Sequence, residues 1–167
     1  ASAVNRAVAA TAFGAEARFQ LPSYVRPIEV AVYDPNLASL STEKMMSIGQ
    51  EMIDRVRNYD SDILCSARIS KKVSVIALAN TEGGRASYLK TVQSTELEGN
   101  LTRATDILTI VEEASSCRAD LNVERLVADL VNKFDMARRE ATVATKSMPV
   151  IFTPKGAANA FHLPLQL

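Results

Sequence analysis

One histidine, two cysteines and a pair of adjacent glutamates are the side chains here whose types suit chemistry. His162 lies between Phe161 and Leu163, and a Ser–His or Cys–His centre would have to use it as its base. Its apolar neighbours favour instead a packed, hydrogen-bonded core histidine. Cys65 and Cys117 form no C-x-x-C pair. With a single histidine, they do not predict a zinc site of His and Cys within this chain. They could form one disulfide, but without a secretory context two reduced, buried thiols are the expectation. Glu112 and Glu113 are paired carboxylates of the kind used in general acid–base work. Neighbours on a strand point to opposite faces, so the two should diverge, one towards solvent, and end the strand.

The glycine pair in "VIALANTEGGRASYLKT", Val75 to Thr91, poses a sharper choice. Gly83 and Gly84 would either cradle a phosphate or reverse a β-ribbon. A phosphate loop needs a helix next, so that its N-terminal amides and positive dipole end face the anion. Here β-branched and aromatic residues flank the pair on both sides, and neither G-x-G-x-x-G nor G-x-x-x-x-G-K-[ST] occurs. Asn80, Gly83 and Gly84 supply the residue types that tolerate positive φ. They are read as a structural hairpin turn, with no catalytic, cofactor-binding or metal residue assigned.

These residues need elements to hold them. A first short helix is expected over Ala3–Phe13, ended by Gly14. A loop with Pro22 and Pro27 follows, then "IEVAVYDP", a short extended piece stopped at Asp34-Pro35. Met45, Ile48, Gly49, Met52, Ile53 and Val56 recur at the offsets of one helical face, with Ser41 as N-cap and Glu43 in the first turn. Met45, Met46 and Met52 could mark an adaptable peptide groove, but at that spacing core packing is favoured. From Asp62 to Ser116 four strands are expected in an antiparallel meander: "DILCSARISKK", "VSVIALAN", "ASYLKTVQSTELEG" and "TDILTIVEEASS". Turns should fall at Lys71-Lys72, at the glycine pair and near Gly99-Asn100. A second long helix follows, with Asn122 as cap and Val123, Leu126, Val127, Leu130, Phe134, Ala137 and Ala141 as its apolar stripe. "MPVIFTP" reads as a short buried strand, and "KGAANAFHLPLQL" as the start of another helix. The fold class is α+β, an antiparallel β-meander packed against amphipathic helices.

Composition sets the outer limits. The 167 residues are 47% hydrophobic and 23% charged, with 19 basic against 19 acidic residues, which suits one globular domain with a sizeable core. Zero formal charge lowers the weight of direct nucleic-acid binding. No apolar run reaches the ~18 residues of a spanning helix, so no membrane partner is expected. Arg6, Glu16 and Arg18 interrupt the alanine-rich N-terminus, which lacks a signal-peptide pattern, so a cytoplasmic location follows by default. "KFDMARRE", Lys133 to Glu140, interleaves cations with Asp135 and Glu140, as a solvated helix face with i,i+3 and i,i+4 pairs does. "NLT" at Asn100 matches a glycosylation acceptor, without meaning in a cytosolic chain. Ala1 without an initiator methionine and the apolar ending "AFHLPLQL" suggest a fragment of a longer protein.

The order of the pieces carries a resemblance. "YDPNL" at Tyr33–Leu37, the helix opening "LSTEKMMSIGQEM", the strand ending "ALANTEGG", "RASYLKT" after it and the late "ATVATKSMPVIFTPKGAANAF" together resemble the TldD/PmbA family. The resemblance runs from about Asn5 to Phe161. That family is related to zinc metallopeptidases, with catalytic subunits and non-catalytic partner subunits, and was historically labelled as modulators of DNA gyrase. The matching stretch resembles the N-terminal and central α+β region, which shapes a peptide-holding cavity for a later catalytic half. The resemblance implies zinc in the catalytic subunit, held by H-E-x-x-x-H and a downstream cysteine. It also implies pairing with itself or a paralogous subunit, and an extended peptide as substrate. H-E-x-x-x-H is absent from this sequence, so no catalytic or metal residue carries over. An inactive structural paralogue is the alternative reading, and a gyrase modulator without DNA contact the third.

Overall fold

The computed structural model describes residues 2–15, 19–24, 28–104, 106–139, 142 and 144–162. Contacts divide the chain into two units, Ala1–Met136 and Ala137–Leu167. In the first unit, Ser2 caps a short helix, α1 (Ala3–Ala10), which continues as a 3-10 turn over Thr11–Phe13 and stops at Gly14. It buries no residue. Asp34 does more than stop the extended piece before it. Its carboxylate accepts from the Asn36 amide at 2.8 Å, and Pro35 takes the first helical position, where a missing N–H costs nothing. The result is α2 (Pro35–Ser39), with Leu37 fully buried.

Ser41 caps α3 (Thr42–Tyr59), accepting from the Lys44 amide at 3.2 Å. Glu43 at its start and Arg57 at its end complement the helix dipole. Asn122 caps α4 (Val123–Ala137) through the Arg125 amide at 2.9 Å. Ala141 of the expected stripe lies outside the described residues.

The sheet has three strands rather than four, in the order β1-β2-β3, all antiparallel. β1 (Ile63–Ala79) runs straight through Lys71-Lys72, and β2 (Arg85–Arg103) runs straight through Gly99-Asn100. β3 is Asp106–Ser116. Both misplaced turns have side-chain explanations. The Lys71 ammonium donates to the carbonyls of Ala38 at 2.8 Å and Leu40 at 2.6 Å, closing the end of α2. Gly99 is a place of close approach, because a Cβ there would sit 2.7 Å from Cε2 of Phe134. The second reversal falls instead between Arg103 and Asp106, where Ala104 takes φ +47°.

Alternation sorts the faces. Thr91, Gln93, Thr95 and Leu97 of β2 are buried in turn, on the face that the helices cover. Met52 and Val56 of α3, and Leu126, Val127, Leu130 and Phe134 of α4, pack there with Ile63, Cys65, Leu97 and Ile110. Each such side chain contributes roughly 1.5–3 kcal/mol when fully buried. Mixed α+β, a meander sheet packed by helices, is therefore the observed class.

In the second unit, Thr153 caps α5 (Pro154–Phe161) through the Gly156 amide at 3.1 Å. The rings of Phe152 and Phe161 meet at 5.9 Å. The expected buried strand "MPVIFTP" is neither buried nor a strand. Met148 to Phe152 are exposed, Ile151 at 96%, and no ladder partner for them exists among the described residues. Leu163, Pro164, Leu165 and Leu167 lie outside the described residues.

Candidate functional site

The helices of the first unit cover only part of the sheet. Beyond Gln93, where β3 stops pairing, β1 and β2 continue as a two-stranded arm to the glycine turn. At the tip, the Asn80 amide donates to the Gly84 carbonyl at 3.0 Å, and the Gly84 amide donates to Asn80 Oδ1 at 2.7 Å. Gly83 holds φ +81°, the left-handed region that β-carbons disfavour. Gly84 needs its bare backbone for another reason. A Cβ there would lie 2.6 Å from Asn80 Nδ2 and 2.9 Å from the Pro22 carbonyl. Asn80 Nδ2 donates to that same carbonyl at 2.9 Å. The turn thus fastens a distant stretch of chain to the arm's tip.

That stretch is fastened again at the arm's base. The Thr91 amide donates to the Val32 carbonyl at 3.0 Å, and the Asp34 amide donates to Thr91 Oγ1 at 2.9 Å. The Val32 amide turns back to the Val30 carbonyl at 2.9 Å, which bends the chain off the strand. Between its two fastenings, the described residues Tyr24, Ile28 and Val30 face Ala86 to Leu89 of β2 across an opening. A cavity of about 770 Å³ opens there, lined by Tyr24, Ile28, Val30, Tyr88 and Leu89, with Glu29 as its charged wall residue. Asp34 locks the base further. Its other carboxylate oxygen accepts from the Ala119 amide at 2.9 Å. That backbone hydrogen bond, with those of Asn36 and Leu37, holds the Asp34 carboxyl below the ordinary carboxylate range against partial desolvation.

The other chemistry-bearing residues are not brought together. His162 is exposed at the end of α5, contrary to the packed core histidine expected, because the segment before it is itself unburied. Cys65 is buried and Cys117 half-buried, both free thiols. Burial pushes the Cys65 thiol up, which makes it a poorer nucleophile. Glu112 and Glu113 diverge as expected, but the strand continues past them to Ser116. Glu112 pairs with Lys133 of α4, while Glu113 is exposed. Lys133 of "KFDMARRE" therefore reaches off its own helix. Asp135 likewise accepts from the Tyr59 hydroxyl of α3, and Glu140 lies outside the described residues. Met52 is core, Met45 half-buried and Met46 exposed. Asn100 sits within β2, donating to Glu98 and accepting from Thr109. Among the described residues no group of three or more His, Cys, Asp or Glu is placed to hold a metal ion, and no helix is long and apolar enough to cross a membrane.

Sequence reading missed Asp34 and Thr91. The signal for Asp34 was present, since Asp-Pro is also a cap followed by a first-position proline. Thr91 carried none, because a threonine within a strand is ordinary.

The architecture defined here is a three-stranded antiparallel meander with two long helices on one face and an uncovered hairpin arm. A solved structure with this fold is TldE from Thermococcus kodakarensis, a TldD/PmbA family member. The TM-score is 0.63 at 16% identity, over 80% of this chain and 31% of that one. No protein-family model matches the sequence, and no curated protein matches it. The chain spans about a third of the TldE chain's length.

Proposed function

We propose that this chain is an architectural, non-catalytic part of a TldD/PmbA-type protein, corresponding to its N-terminal and central α+β region as a single domain. The fold likeness to TldE over 80% of the chain supports this reading, as does the order of motifs in the sequence. The parent or partner subunit would be a zinc metallopeptidase that cleaves or matures extended peptides in the cytoplasm. The partner would be a second copy or a paralogous subunit. Zinc hydrolysis needs three protein ligands around the metal and a polarised water. The described residues do not fit that donor set, so no catalytic step is assigned to them. What the fold offers instead is walls: a helix-backed sheet and a two-stranded arm.

The test is co-expression with a TldD-type zinc peptidase subunit. The expected result is co-purification, and hydrolysis of an unstructured peptide that depends on this chain. Alone, it should retain no stoichiometric zinc after dialysis and cleave nothing. One tightly bound zinc per chain together with intrinsic peptidase activity would overturn the reading.

A further inference from the structure

We draw no further inference here: the strongest candidate, the exposed apolar face that Val73, Val75 and Leu89 form on the two-stranded arm, carries none because nothing in the structure shows what covers it.

Discussion

The backbone amide of Asp34 donates to Thr91 Oγ1 at 2.9 Å, and the same hydroxyl donates to the Cys117 carbonyl at 2.7 Å. One fully buried side chain thereby joins the segment before α2, the middle of β2 and the end of β3. Thr95, four residues along the same face, is also buried, yet its hydroxyl has no hydrogen-bond partner. Two isosteric substitutions should therefore act in opposite senses. Thr91→Val leaves a partly buried amide and carbonyl without this partner, at a cost of about 1–3 kcal/mol. Thr95→Val removes an unpaired polar atom and should leave stability unchanged or raise it. Urea unfolding of the two variants decides the matter, and equal losses at both sites would contradict this account.

Asp34 also gives the fold a pH dependence of known sign. Its folded pKa is held below the ordinary 3.8, first by the Ala119 amide. A depressed carboxylate contributes stability that is present above the unfolded pKa and is lost as pH falls through the lower folded value. Asp34→Asn should be less stable than the parent at neutral pH, and the gap should close below about pH 4. Denaturant midpoints measured from neutral to acid pH report this directly. A gap that widens on acidification would reverse the sign and refute the capping role.

What could be read from the sequence divides along a physical line. Both long helices, their caps at Ser41 and Asn122, and the antiparallel meander were legible, because caps and apolar periodicity are local signals. The two misplaced turns were not. Lys71-Lys72 reads as a solvated break, but Lys71 is consumed by carbonyls at the end of α2, more than thirty residues earlier in the chain. His162 and "MPVIFTP" were expected to be buried because they are apolar or flanked by apolar residues, and burial is a tertiary property. The fastening of the segment before α2 to the arm depends on Pro22 meeting Asn80 and Val32 meeting Thr91, pairings across nearly sixty residues. No window of sequence contains them.

Gly99 offers a test of that long-range kind. With a Cβ 2.7 Å from Cε2 and 2.9 Å from Cζ of Phe134, Gly99→Ala must displace a fully buried ring. Overpacking of this sort costs about 1–3 kcal/mol. If the ring is the obstacle, Phe134→Leu should lose stability through its cavity, yet Gly99→Ala should cost less in that background than in the parent. A double-mutant cycle measures the coupling. A Gly99→Ala loss independent of residue 134 would mean that Gly99 serves the strand backbone and not the ring.

The glycine turn separates two reasons for a missing side chain. Gly83 has open space around it, so its constraint is φ +81° alone. Gly84 has no such φ but is hemmed in by Asn80 and the Pro22 carbonyl. Gly83→Val should cost about 1 kcal/mol or more from backbone strain, and Gly83→Asn distinctly less, because asparagine tolerates the left-handed region. Gly84→Ala should act by pushing Asn80 aside and freeing Pro22. Its cost should therefore fall when Asn80 is already replaced by glycine, whereas the cost of Gly83→Val should not. Melting temperatures of the single and double variants, with and without phosphate, resolve the three cases. Unchanged melting on Gly83→Val would remove the strain argument. A rise with phosphate that Gly83→Val abolishes would make the turn an anion loop rather than the fastening for the segment at Pro22.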